Sequence, residues 1–400
     1  MPPYIDAQIG AGGKWEVSAV PDSEARQGVV VGITGSSGLL GRHLSAALVA
    51  DGRHKIRRAD RAVFSDNAAL GRFVTGCDVI VHFAGMTRGE AGDVERTNIA
   101  LARELATALE QEGCSSTVVF ANSPQRDEDN AYGRSKREGA EMLGSWAASS
   151  GGGLVDLVIP NAFGEGGRPH HNSFVSTFCS QLARSEEPHI IVDAEVELVH
   201  AQQVAQTVLG VVIDHLSWRG RSVVRRLEGE RHLVSDILGR LRGYLEPYVS
   251  GIVPALPDAI DLPLFNTLRS FVFDVRPVIS LPRHADTRGY LVEVAKSYGQ
   301  GQTFYSLTHP GVERGKHFHL RKLERFVVLD GTAVIKVRHL FTDKVMTFEV
   351  SGDVPVAIDM PTLSTHSIVN TGATELLTMF WASEIFDPED PDTFPEPVDP

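Results

Sequence analysis

The strongest constraint in this sequence is a change of rhythm near residue 250. Before it, short apolar runs alternate with stretches of helical spacing. Val29 to Leu48 reads as strand, Gly-rich turn and helix; Asp78 to Phe83 reads as a buried strand, followed by Ala84-Gly85. Asn98 to Glu112 is a helix, Thr117 to Phe120 a strand, Tyr132 to Ala148 a helix and Leu154 to Ile159 a strand. Such alternation builds a doubly wound α/β domain around a parallel sheet, because parallel neighbours need a crossover between them. After Phe271 the runs are short and rich in Val, Phe, Thr and Tyr, divided by Gly, Pro and Asp. Gly301 to Leu307, Glu324 to Leu329, Thr332 to His339 and Met346 to Val350 are examples. That spacing predicts an all-β sandwich or jelly roll.

A chain of 400 residues exceeds one ordinary hydrophobic core, so two domains are expected. Residues 1–28 read as a flexible leader around Gly10-Ala11-Gly12-Gly13, and 29–250 as the α/β domain with its substrate lobe. Residues 251–273, with Pro254, Pro257 and Pro263, read as a junction, and 274–400 as the β domain with an extended tail from Asp387.

Composition narrows the function. The net charge of −13 disfavours nonspecific nucleic-acid binding but permits a locally held phosphate. No stretch is long and apolar enough to span a bilayer, and Met1-Pro2-Pro3-Tyr4 lacks the order of a signal peptide. Cys77, Cys114 and Cys179 are scattered and form no disulfide framework, as expected in a reducing cytoplasm.

Thr34-Gly35-Ser36-Ser37-Gly38-Leu39-Leu40-Gly41 follows an apolar strand and opens an amphipathic helix. Glycines let the backbone approach a pyrophosphate, while the helix N-terminus offers free N–H groups and a positive dipole end. This is the order a dinucleotide site needs. Asp60 and Arg61 close the next strand. Asp suits the ribose hydroxyls of NAD and Arg suits the 2′-phosphate of NADP, so the two residues point in opposite directions and leave both NADP(H) and NAD(H) open.

Tyr132 and Lys136, four residues apart, share one helix face. A neighbouring ammonium favours the phenolate and brings a phenol of pKa about 10 toward the range of proton transfer. Ser123, just after a strand, is placed to hydrogen-bond a reacting carbonyl oxygen. Together these residues resemble the extended short-chain dehydrogenase/reductase family, which has a Rossmann fold. The resemblance implies that Tyr132 is the general acid/base, that Lys136 holds the nicotinamide ribose and that Ser123 completes the set. It gives Asn98 a structural and proton-relay role, and substrate contacts to the segment containing Asn161 and Phe163. Gln202 and Gln203 replace that family's usual Asp pair.

In the β domain, His317 and His319 point to one face of a strand, Glu324 returns after a bend, and His366 closes the set from a distant strand. Three imidazoles and a carboxylate suit Zn²⁺ or another divalent transition metal. The run from Gly311 through these ligands to Gly331 resembles the first cupin motif, and Pro361 to His366 the second, with Leu363 where the family usually has Gly. Asp286 to Tyr290, Glu293 and Lys316 resemble sugar-epimerase cupins; Lys316 and Lys296 are candidate bases.

Both halves, in this order, resemble the CapF/FnlB-type bifunctional enzymes of capsule and O-antigen synthesis from Val29 to Phe394. The stretch from Asn172-Ser173 to Cys179, with its substrate contacts, carries much of the likeness, as does Pro310 to Phe326. The resemblance implies a cupin that epimerises C3 of a UDP-2-acetamido-2,6-dideoxy-4-ketohexose and a dehydrogenase domain that reduces C4 with NADPH. It also implies a homodimer or higher homo-oligomer. Competing readings are a 4-ketoreductase/epimerase acting on a deoxysugar nucleotide of a secondary metabolite, and a noncatalytic nucleotide-binding sensor.

Overall fold

The structure, a computed structural model, describes residues 5–9, 15–19, 28–286, 289–299 and 301–400. It opens with an antiparallel pair, β1 (Ile5–Ile9) and β2 (Trp15–Ala19). A flexible leader was expected there. Both runs alternate apolar and polar residues, and the register sets Ile5 opposite Ala19, Ala7 opposite Val17 and Ile9 opposite Trp15. That is the period-two signal of a hairpin, hidden by the glycines between the strands.

The α/β domain then runs β3 (Val30–Thr34), α1 (Leu39–Asp51), β4 (Lys55–Ala59), α2 (Arg61–Phe64), α3 (Asn67–Thr75), β5 (Val79–His82) and α4 (Ala91–Gln111). It continues with β6 (Thr117–Asn122), α5 (Ala131–Ser150), β7 (Gly153–Val158), β8 (Asn161–Phe163), α6 (Phe174–Ala183), β9 (Glu195–His200), α7 (Ala201–Ile213), β10 (Ser222–Arg226), β11 (Glu230–Leu233) and α8 (Val234–Val249). Six strands pair in parallel in the order β10-β7-β6-β5-β3-β4. The order reverses at β3, so a crevice opens beyond its C-terminal end between β3 and β5, where doubly wound sheets bind ligands. Val31, Ile33, Val79, Val81, Val119 and Val155 are fully buried. They give the near-continuous apolar strands that a sheet covered on both faces requires.

The stretch expected as a plain junction contains β12 (Ile252–Val253) and most of a helix, α9 (Asp261–Val275). Pro263 is the third residue of that helix, where no intrahelical N–H donor is needed, so it does not break the helix. Leu264, Phe265 and Leu268 are fully buried in a cluster with α6 and α8 on one side and Leu323 and Trp381 of the β domain on the other. The two domains therefore share apolar packing instead of hanging on a linker.

The β domain continues with β13 (Val278–Ser280), β14 (Arg283–Asp286), β15 (Gly289–Val292), β16 (Lys296–Ser297), β17 (Gln302–Thr308), β18 (Glu313–Phe318), β19 (Glu324–Asp330) and β20 (Thr332–His339). It ends with β21 (Val345–Ser351), β22 (Val356–Met360), β23 (Ser364–Asn370), β24 (Leu376–Ala382) and β25 (Phe394–Pro395). Two five-stranded antiparallel sheets, β13-β22-β19-β24-β17 and β21-β20-β23-β18-β25, enclose a core of Phe326, Ile335, Val337, Ile358, Met360, Ile368 and Leu376. This is the expected jelly roll.

Candidate functional site

Gly35 ends β3 with φ +67°, and a Cβ there would lie 2.7 Å from the Ala84 nitrogen. The Gly-rich turn and the Ala84-Gly85 segment after β5 therefore approach as only glycine permits. Gly41 is similarly confined, since its Cβ would fall 2.5 Å from the Gly35 oxygen. Gly38 caps α1 without a side-chain bond, so the N–H groups of Leu39, Leu40 and Gly41 open the helix at the crevice, beside Ser36 and Ser37. The Thr34 hydroxyl ties the two edges together: it accepts from the Ala84 N–H (3.2 Å) and lies 2.9 Å from His82 Nδ1. Burial pushes His82 down to about 3, so its ring is neutral and Nδ1 can accept that proton.

Asp60 and Arg61 sit at the C-terminal end of β4, as expected. Asp60 caps α2, its Oδ1 accepting from the N–H groups of Ala62 (2.9 Å) and Val63 (3.2 Å), and Arg61 is exposed.

Tyr132 and Lys136 lie on the first turns of α5, capped by Asn130, whose Oδ1 accepts from the Gly133 N–H at 2.7 Å. The Lys136 ammonium donates to the Ala121 carbonyl (2.7 Å) and lies 5.6 Å from the Tyr132 ring centre. Burial pushes Lys136 down to about 8 and Tyr132 up to about 12. Burial acts on the phenol in the sense opposite to a neighbouring ammonium, and that ammonium is turned to a carbonyl. A Cβ on Gly85 would lie 3.8 Å from Lys136 Nζ, so the segment after β5 reaches the Tyr132–Lys136 face. Ser123 caps a 3₁₀ turn, its Oγ accepting from Gln125 N–H at 3.3 Å, which leaves its proton available to donate.

Asn98 is buried and braces the loop after β5, with Oδ1 accepting from Met86 N–H (2.6 Å) and Nδ2 donating to Met86 O (2.8 Å) and Ser135 Oγ (3.2 Å). Asn161 is exposed and donates to the Glu197 carbonyl (3.1 Å), Asn172 is exposed, and Ser173 caps α6. Phe163 departs from the expected substrate contact. Its ring is 1% exposed and packs in the core, 5.2 Å from that of His200. Gln202 turns inward, with Oε1 3.2 Å from His43 Nδ1, while Gln203 is exposed.

In the β domain the structure gathers His317, His319, Glu324 and His366 so that one ligand atom of each lies within 4.8 Å of the others. Glu324 Oε2 is 3.0 Å from His319 Nε2, 3.6 Å from His366 Nε2 and 3.8 Å from His317 Nε2. His319 Nδ1 donates to the Asp392 carbonyl (2.6 Å), which leaves its Nε2 lone pair facing the cluster. The Nε2 atoms of His319 and His366 are buried without a hydrogen bond. Burial pushes His366 down to about 4, and the three imidazoles hold the Glu324 carboxyl far below its usual range despite burial. Three imidazole nitrogens and one carboxylate oxygen gathered within 4.8 Å make a donor set that fits a divalent cation.

Sequence reasoning missed two supports of this cluster. Asp392 in the tail accepts from the N–H groups of Leu320 (3.0 Å), Arg321 (3.0 Å) and Lys322 (2.7 Å), so the extended tail straps the ligand loop. Lys322 is buried with Nζ 3.5 Å from Glu324 Oε1. The candidate bases are paired elsewhere: exposed Lys316 has Nζ 2.7 Å from Glu313, and half-buried Lys296 has Nζ 3.4 Å from Glu293. In the epimerase-like run, Thr287 and Arg288 lie outside the described residues. Leu363, at φ +58°, takes the left-handed conformation that glycine adopts more readily.

Among the described residues, no helix is long and apolar enough to cross a membrane. Residues 31–217 match the NAD dependent epimerase/dehydratase family, and residues 284–394 match the polysaccharide biosynthesis C-terminal domain. A UDP-2-acetamido-2,6-beta-L-arabino-hexul-4-ose reductase of Pseudomonas aeruginosa is 30% identical over 365 residues, 90% of this chain and 97% of that protein. The crystal structure of the capsular polysaccharide assembling protein CapF of Staphylococcus aureus is 28% identical, with a TM-score of 0.58, over 92% of this chain and all of the other. The agreement spans both domains in the same order, and on that ground this chain belongs to the CapF/FnlB-type family of sugar-nucleotide enzymes.

Proposed function

We propose that the chain is a bifunctional sugar-nucleotide enzyme. Its cupin epimerises C3 of a UDP-2-acetamido-2,6-dideoxy-4-ketohexose, and its dehydrogenase domain then reduces the C4 ketone with NADPH, as in the formation of UDP-N-acetyl-L-fucosamine. The observation that carries the reductase half is the placing of the Tyr132 phenol on the first turns of α5, its ring centre 5.6 Å from Lys136 Nζ, with the Gly85 segment of the dinucleotide crevice against that ammonium. Reduction of a ketone needs a proton donor at the nascent alkoxide, and a phenol neutral at physiological pH is in the donating state.

Thr34 to Gly41, with Ala84 and Gly85, form the cradle for the dinucleotide, and Arg61 is the group for a 2′-phosphate. When bound, NADPH supplies the hydride. Ser123 Oγ orients the carbonyl oxygen, Tyr132 Oη delivers the proton, and the Lys136 ammonium favours the transient phenolate. In the cupin, His317, His319, Glu324 and His366 would hold Zn²⁺ or a similar ion, which when bound supplies Lewis acidity to a ketone oxygen. Inversion at C3 also needs a protein base that takes the proton next to the ketone and a protein acid that returns one on the opposite face. The likeness to capsule enzymes also supports a cytoplasmic homodimer or higher homo-oligomer.

The test is incubation of the 4-keto sugar nucleotide with the protein and NADPH in D₂O, followed by NMR of the products. NADPH oxidation and deuterium at C3 are expected. Tyr132→Phe should slow reduction about 10²- to 10⁴-fold while C3 exchange continues. His317→Ala should stop the exchange. Full deuterium incorporation by His317→Ala would separate the metal ligands from epimerisation.

A further inference from the structure

The Glu165 carboxylate lies 4% exposed beneath the contact between the two domains. One oxygen, Oε2, is 2.9 Å from His200 Nε2 and 3.9 Å from His43 Nε2. The other, Oε1, accepts from the hydroxyl of Thr362, 2.7 Å away on the cupin. The Glu165 main-chain oxygen accepts from His43 Nε2 at 3.0 Å. Among the described residues no Lys or Arg pairs with this carboxylate, so the His200 imidazole and one hydroxyl from the other domain satisfy it, with the His43 ring close by. The group is ionised, held down to about 2 chiefly by His200 against the opposing effect of burial.

These contacts fall on structural junctions. His43 lies two residues after Gly41 on α1, the helix that opens the dinucleotide crevice. His200 ends β9, which pairs with β8, and β8 carries Asn161, the exposed residue of the segment expected to meet substrate. Between β8 and Glu165, Gly164 has φ +154°, and a Cβ there would lie 3.1 Å from both His43 Nε2 and His200 Nε2. No side chain fits between the rings, so Glu165 is pinned in one place. Thr362 belongs to the turn whose Leu363 N–H donates to the His319 carbonyl (2.8 Å) and which leads into β23 and His366. A second contact runs parallel to it: the Arg42 guanidinium on α1 stands 5.9 Å from the ring centre of cupin residue Phe341.

From this geometry we propose that Glu165 is a positioning residue of the dehydrogenase site and that the cupin sets it through Thr362. The docked cupin thereby completes the substrate segment of its neighbour. The proposal rests on the reading of that domain as a sugar-nucleotide reductase. Loss of the hydroxyl leaves a buried carboxylate oxygen without a donor, and the 161–167 segment must shift to find water. Tyr132, Lys136 and Ser123 stand on other elements and keep their places.

The test compares Thr362→Val with Thr362→Ser in the full chain, with metal content measured for each. Reduction is followed with NADPH and the UDP-linked 4-keto-6-deoxy sugar, and amide hydrogen exchange is read over residues 161–167. For Thr362→Val the expected result is KM for the sugar nucleotide raised about tenfold, kcat within about twofold and exchange over the segment faster by about tenfold, as for loss of a charge-assisted hydrogen bond. Thr362→Ser, which keeps the hydroxyl, should return both readouts to within about twofold of the parent. Unchanged KM and exchange in Thr362→Val, or equal impairment in Thr362→Ser, would overturn the proposal. If the parent protein does not reduce the sugar nucleotide, the reductase reading fails, and amide exchange alone decides whether Thr362 positions Glu165.

Discussion

Arg325 and Asp359 form an ion pair beside the domain junction, and its removal tests how the cupin is clamped. They are cross-strand partners on β19 and β22, 0% and 2% exposed. Arg325 Nε donates to Asp359 Oδ1 (2.7 Å), Nη2 donates to Oδ2 (3.0 Å), and Nη1 donates to the carbonyl of Gly251 (2.8 Å), between α8 and β12. Asp359→Ala removes two charge-assisted bonds and strands a guanidinium that retains only the Gly251 carbonyl. The expected cost is about 3–5 kcal/mol, because the uncompensated charge stays in a low-dielectric interior. Replacing both partners, Arg325→Met with Asp359→Leu, removes the desolvation penalty together with the attraction, and should lie within about 1 kcal/mol of the parent or above it. Denaturant unfolding followed by circular dichroism and tryptophan fluorescence measures both. Trp381 is a suitable reporter, since it is buried directly across from Arg325 on β24. A cost below about 1 kcal/mol for Asp359→Ala would refute the clamp, since a buried orphan charge cannot be that cheap. A double variant as unstable as the single would show that packing, not charge, decides the site.

Three other outcomes are expected. Lys136 is charged below about 8 and neutral above it, because burial lowers its pKa, so kcat for reduction should fall as pH rises through about 8. Lys136→Arg, which does not titrate in this range, should lose that alkaline limb even if its maximum rate is lower, and a limb unchanged in this variant would assign it to another group. The protein should carry about one divalent ion per chain by elemental analysis, and His366→Ala should retain less than about a tenth of it. Chelation should lower the unfolding free energy, by about 2.7 kcal/mol if the ion had stood at a hundred times its dissociation constant. Gly35→Ala should abolish cofactor binding by fluorescence titration and cost roughly 1–2 kcal/mol in stability, since φ +67° and a 2.7 Å contact both oppose a Cβ.

What could be read from the sequence was local. Strand–helix alternation, the Thr34 to Gly41 turn, the Tyr132–Lys136 spacing and the His317, His319, Glu324 set each occupy a short window, where periodicity and backbone needs leave a direct trace. His366 was found because its own motif is local too. The hairpin at 5–19 was missed although its alternation is regular, because two five-residue strands around glycines look like leader. The helix α9 was missed because Pro263 suggests a breaker, and only the helix start makes it harmless.

The remaining errors concern burial, which a window of sequence does not report. Phe163 stands two residues after Asn161 in a substrate-like segment, a spacing that strand period assigns to one face, yet Asn161 is exposed while the Phe163 ring packs in the core. The phenol of Tyr132 was expected to fall because Lys136 stands near in sequence. Burial of the ring acts the other way, and the ammonium is turned to Ala121. The Glu165 network is the extreme case. His43, Glu165, the His200–Gln202 stretch and Thr362 come from four segments spread over most of the chain, and none is unusual where it stands. Their meaning arises only when β8, α1, β9, α7 and the cupin turn converge, so a polar group that reads as a solvated loop residue becomes the one carboxylate that Thr362 reaches from the other domain.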